Sequence, residues 1–184
     1  MSRKDHVMRS LVIYESMFGN TERVAHAIAA GLSRHMQADL VPVNRAATDV
    51  SDAYDLIVVG GPTHAFSMSR PSTRMDAQHQ GAPPAPIDIG IREWLDALPK
   101  QRYTGLAAAF DTRVVRVRHM PGSAARKASK VLHRHGLSVL EKPHSFYVHD
   151  TDGPLVDGEL DRAEAWGEKL AHDVMIADPS VRRP

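Results

Sequence analysis

Three apolar runs in this chain are short and unbroken: LVIY at 11–14, LIVV within 54–59, and LAAAF at 106–110. A strand with one wet face alternates apolar and polar residues. An unbroken run must instead be covered on both faces, as in a parallel sheet flanked by helices. The segments between the runs carry helical spacing. Over 20–36, Val24, Ala27, Ile28, Gly31 and Leu32 form one stripe, and over 160–174 Leu160, Ala163, Trp166, Leu170 and Val174 form another. Shorter helices are expected over 91–98 and 123–135. Residues 39–43 read as a second strand, with Pro42 suited to a sheet edge. The last strand spans 137–140 and 145–148 and is broken near Pro143. Alternating strands and helices predict a three-layer, doubly wound α/β fold with a five-stranded parallel sheet.

A chain of 184 residues suits a single domain, 1–184, with mobile tails at about 1–9 and 178–184. The polar stretch 64–86 is too long for an ordinary connection and reads as a functional or mobile loop. Lys and Arg total 23 against 22 Asp and Glu, so no basic excess points to nucleic acid. The chain has no cysteine, which excludes disulfides, thiolate metal sites and thiol redox chemistry. Redox chemistry would therefore need a bound organic cofactor. No apolar run approaches the ~20 residues that span a bilayer, and the one near the start is too short for a signal-peptide core. A cytoplasmic protein without a membrane span is expected.

In such sheets ligands bind beyond the carboxyl ends of the strands, so the loops after Tyr14, Val59, Phe110 and Val148 are the places to look. The first runs Glu15-Ser16-Met17-Phe18-Gly19-Asn20-Thr21 straight into a helix. Amide donors at a helix start suit a phosphate, Gly19 permits close approach, and Ser16, Asn20 and Thr21 add side-chain donors. The same residues also suffice to cap the helix with no ligand. The sequences GxxxxGK[ST], GxGxxG and GxSxG are all absent, which leaves no support for a triphosphate loop, a dinucleotide fingerprint or a serine hydrolase. His133 and His135 lie on different helix faces, no HExxH accompanies them, and no metal site is expected. The basic helix face with Arg126, Lys127, Lys130 and Arg134 reads as solvated.

LVIYESMFGNTERVAHAIAAGL resembles the opening of the flavodoxin family, YDLIVVGGPTHAF its third strand and flavin loop, and LAAAFDTR its fourth strand and loop. The resemblance implies strand order 2-1-3-4-5 and bound FMN. Ser16, Met17, Phe18, Gly19, Asn20 and Thr21 would surround the phosphate. Pro62, Thr63, His64, Ala65 and Phe66 would flank the isoalloxazine ring, with Phe110, Asp111, Thr112 and Arg113 on its other side. The implied function is electron transfer, or NAD(P)H-dependent reduction of a quinone-like acceptor. Partners would be NAD(P)H or a redox protein, and a homodimer is compatible with such families. The long segment after GGPTHAF is similar to that of flavodoxin-like NAD(P)H:quinone reductases.

Two departures matter. Phe18 stands where the family has a hydroxyl, and the candidate ring loops offer Phe66 and Phe110 but neither Trp nor Tyr. Trp94, Trp166, Tyr103 and Tyr147 read as packing residues. The stretches 64–76 and 111–119 also hold Arg70, Arg74, Arg113, Arg116 and Arg118 against Asp76 and Asp111. A unit charge ~8 Å from the flavin contributes about 2 kcal/mol at an effective dielectric of ~20, so a cationic rim favours the anionic reduced ring and opposes low-potential cycling. His64 can donate to a flavin oxygen, shuttle a proton, or simply satisfy its loop. The contrasting reading is a flavodoxin-fold domain without FMN, acting as an interaction or regulatory module.

Overall fold

Every apolar run is a strand whose alternate residues feed two separate cores. The computed structural model describes residues 7–50, 53–99, 103 and 105–177. Leu11 and Ile13 of β1 (Arg9–Tyr14) join Ile57 and Val59 of β3 (Leu56–His64) and Ala107 and Ala109 of β5 (Leu106–Val114) on one face. Val12 and Tyr14, Val58, Ala108 and Phe110 point to the other. The first face is covered by α3 (Ile91–Asp96) and α4 (Ala124–Arg134), and the second by α1 (Asn20–Leu32) and α5 (Glu159–Ala177).

The parallel order is β2 (Gln37–Pro42), β1, β3, β5, then an interrupted edge made of β6 (Ser138–Val139) and β7 (His144–Val148). Both β6 and β7 pair with β5, on either side of residues 140–143. Pro143 has no N–H to give to the ladder. With β6 and β7 taken as one broken strand, this is the expected order. The count is seven strands and not five, because that strand is split and because β4 (Ser67–Met68) forms a small antiparallel hairpin on the end of β3.

The stretch 64–86 is not a loop. It contains β4 and α2 (Pro71–His79), which starts with Pro at its first position and is capped by Thr73. Arg74, wholly buried, fastens it. Its Nη1 donates to Ser69 Oγ at 2.7 Å, its Nη2 to Glu93 Oε2 at 2.9 Å, and its Nε to the Ile87 carbonyl at 2.7 Å. Buried Glu15 lies 3.8 Å from the same guanidinium and accepts from Ser69 Oγ and the Ile91 amide. Local sequence shows only a polar segment, because the acids that neutralise Arg74 come from elsewhere in the chain.

Trp94 and Trp166 are core residues, and their indole N–H groups reach the Ala47 carbonyl and Glu141. Tyr103 is buried, and Tyr147 lies half-buried under the Arg162 guanidinium. Arg126, Lys127, Lys130 and Arg134 are exposed on α4, the solvated face expected of them. Arg9 opens β1, so the N-terminal tail is shorter than 1–9; residues 1–6 and 178–184 lie outside the described residues.

Candidate functional site

The carboxyl ends of β1, β3, β5 and β7 converge on a shallow, solvent-open cleft. Met17, Phe18, Asn20 and Thr21 form one wall, and Pro62, Thr63 and His64 a second. Thr112, Arg113 and Val114 form the third, closed by Val148 and Thr151. Sequence order points to the loop after Val148 but singles out no residue there, so Val148 and Thr151 come from the structure alone.

The phosphate-loop wall is built around the start of α1. Gly19, the residue before α1, has φ of 84° and no side chain to cap the helix, so a side-chain cap comes instead from Ser16. The Asn20 and Thr21 amides have no acceptor within the helix, while Glu22 N–H goes to Ser16 Oγ at 3.2 Å. That bond turns Ser16 away, and it lines a neighbouring cleft with Tyr14, Glu22 and Asn44. Thr21 is buried, with its hydroxyl 2.7 Å from that of Thr112. Either can donate to the other, which leaves one proton free for an acceptor in the cleft. The Asn20 side chain donates to the Asp152 carbonyl at 3.0 Å and ties the loop after β7 to this wall. Phe18 packs with Met17, Ala77 and Ala82, so the aromatic replaces a hydroxyl with an apolar contact.

The second wall ends in a strained turn. Ala65 and Phe66 have φ of 45° and 61°, both left-handed, between the paired residues His64 and Ser67. A two-residue hairpin of this hand favours Asn-Gly; non-glycine residues there cost roughly 1–2 kcal/mol each. Phe66 is 41% exposed, so packing does not explain its presence. Phe66→Gly is expected to raise stability by about 0.5–1 kcal/mol, read by urea unfolding. A loss of stability in that variant would show that the ring is held by contacts and not merely tolerated. Beside it, His64 Nδ1 lies 3.1 Å from Thr73 Oγ1, leaving Nε2 for a ligand. Burial, reinforced by the Arg74 charge, pushes the His64 pKa below its ordinary value and favours the neutral ring.

Two expected site residues do not face the cleft. Phe110 is fully buried, packed edge-on to Phe146 and Trp166. Its ring occupies the space left by the missing side chain of Gly60, where an added Cβ would lie 2.1 Å away. Asp111 is also fully buried; its Oδ2 accepts from Thr63 Oγ1 and the Ala125 amide, both at 3.0 Å. It anchors the start of α4 and does not line the cleft.

The cationic rim also needs correction. Arg74 is buried among Glu15 and Glu93, away from the cleft, and Arg116 sits 3.3 Å from Asp150. Arg113 stays at the cleft but is 6% exposed, and its Nη2 donates to the Val117 and Met120 carbonyls. Its Nε is buried with no hydrogen-bond partner among the described residues, and none of the ion pairs found there involves it. The Val117 and Met120 carbonyls occupy its donors without bringing an opposite charge.

The start of α1, a buried hydroxyl pair and a lone guanidinium converge at the carboxyl ends of β1 and β5. The flavodoxin family model matches residues 12–78, the part that carries the first two walls. The chain has the flavodoxin fold. It is similar in structure to a flavodoxin from the domain Archaea, at 20% identity and a TM-score of 0.62 over 91% of this chain and 99% of that one. Flavodoxin 2 from Bacillus cereus superposes with a TM-score of 0.65 at 17% identity, covering 92% and 99%. The flavodoxin, WrbA-like protein from Agrobacterium tumefaciens gives 0.56 at 16% identity, covering 93% and 99%. No curated protein sequence matches the chain. Among the described residues no helix is long and apolar enough to cross a membrane.

Proposed function

We propose that this flavodoxin-fold chain is an FMN-binding redox protein, which passes electrons to a partner protein or reduces a quinone-like acceptor with NAD(P)H. The observation that carries the reading is the convergence of the Asn20 and Thr21 amides at the start of α1 with the buried Thr21–Thr112 pair in one cleft. A helix start with a hydroxyl donor suits a terminal phosphate. The Asn20 and Thr21 amides and the Thr21 hydroxyl would hold that phosphate. Pro62, Thr63, His64 and the Ala65–Phe66 turn would take one side of the ring, with Thr112 and Arg113 on the other. Bound FMN would supply the one- and two-electron chemistry. The chain would place it, shield one edge and impose the Arg113 charge, which favours an anionic reduced ring. Neutral His64 would offer or accept a hydrogen bond at Nε2.

The test is the visible spectrum of the purified full chain before and after FMN is added and free flavin removed. Flavin bands that stay with the protein, followed by bleaching with NADPH, support a reductase. Retained bands that NADPH does not bleach support an electron carrier. A protein that retains no flavin is the cofactor-free interaction module.

Thr21→Val is expected to weaken FMN binding by about 1–3 kcal/mol, roughly 5- to 150-fold in Kd, with recovery in Thr21→Ser. Flavin fluorescence quenching reads the affinity. Equal affinity in Thr21→Val and the parent would remove the hydroxyl from the site.

A further inference from the structure

We infer that the α1–α5 helix pair carries a surface site for a divalent transition metal of the zinc class, formed by His35, Glu168 and His172. One ligand atom from each lies within 4.8 Å of the others. His35 Nε2 is 3.5 Å from Glu168 Oε1, and the two imidazole rings have centroids 4.4 Å apart. Glu168 and His172 are four residues apart on α5 and so share a face. His35 follows the end of α1, which α5 meets in backbone contact: a Cβ added at Gly31 would lie 2.0 Å from the Glu164 carbonyl oxygen. The three ligands are therefore carried by elements that cannot drift apart. The site lies about 20 Å along α1 from the helix start at the cleft, and nothing in it depends on FMN.

The donor set selects the metal. Two imidazoles and one carboxylate suit zinc, nickel or copper, whereas calcium and magnesium prefer all-oxygen sites. Three protein ligands leave a fourth tetrahedral position for water. The Glu168 carboxylate is already divided for this role. Oε2 faces Arg34 Nη1 at 3.8 Å, while Oε1 faces His35. Arg34 also pairs with Glu164, which offsets its charge beside the incoming cation. A metal held here would clasp the end of α1 to α5 and stabilise only the folded chain.

The test uses the untagged, chelator-treated full chain titrated with zinc chloride by calorimetry. The expected result is one zinc per chain, with affinity lowered at least tenfold in each of His35→Ala, Glu168→Gln and His172→Ala. These residues are exposed or half-exposed, so the variants should keep the parent's circular dichroism. His133→Ala, on the exposed face of α4, should bind as the parent does. At zinc a hundredfold above the parent Kd, the melting temperature should rise by about 5–10 °C in the parent and by no more than about half as much in His172→Ala. No saturable zinc binding, or binding that survives all three substitutions, would overturn the inference. So would a thermal shift of the parent's full size in His172→Ala.

Discussion

Arg74→Met is expected to remove about 3–5 kcal/mol of folding stability, because it strands a buried carboxylate. The guanidinium is wholly buried and has no water to fall back on. Its loss takes the cation from Glu15 and leaves Ser69 Oγ, Glu93 and the Ile87 carbonyl each short of a donor. Methionine restores bulk but none of these bonds. The deficit should also depend on pH. Burial raises the Glu15 pKa, while the Ser69 and Ile91 hydrogen bonds and the Arg74 charge hold it down. A carboxyl with a raised folded-state pKa contributes stability that is present at low pH and lost as pH climbs through that pKa. Removing Arg74 raises it further. The variant should therefore lie closer to the parent at pH 5 than at pH 8. Urea unfolding at both values reads the effect, and equal deficits would assign the loss to packing and hydrogen bonds instead of charge.

The same residue shows where sequence reasoning stops. Leu11 through Tyr14 reveal a doubly covered strand because an unbroken apolar run has one physical explanation, and the structure sends alternate residues to two cores. Thr21, His64 and Thr112 are legible as cleft residues because they follow strand ends in an α/β sheet. Phe110 is not, because its place depends on where β5 stops. The run LAAAF ends at Phe110, yet the strand continues to Val114 and carries the cleft wall forward to Thr112–Val114. What keeps Phe110 inside is Gly60, its register partner on β3, and register is invisible until the strands are paired. Arg74 fails for the same reason, since nothing near it in sequence announces Glu15. The spacing of Glu168 and His172 is legible on a helix, but His35 joins them only through the packing of α1 on α5.

That packing carries the second large effect. Gly31→Val is expected to cost about 3 kcal/mol or more. A Cβ at Gly31 would lie 2.0 Å from the Glu164 oxygen and 2.7 Å from the Glu168 nitrogen, both backbone atoms of α5. No rotamer change can relieve a clash with backbone, so the helices must separate. Gly167 is locked reciprocally, 2.2 Å from the Ile28 oxygen by the same construction. Replacing a helical glycine gains up to about 1 kcal/mol of helix propensity, which the clash outweighs. Separation would uncover Ile28, Trp166 and Leu170 in the core between α1, α5 and the sheet. The two ends of α1 should respond differently. The start of α1 is held by the β1 loop and the Thr21–Thr112 contact, so FMN affinity should fall only modestly. The zinc ligands straddle the displaced crossing, so zinc affinity should fall much further. Thermal unfolding with parallel FMN and zinc titrations reads all three quantities. A variant as stable as the parent would mean that α1 and α5 do not approach this closely, and the zinc site would lose its rigid frame.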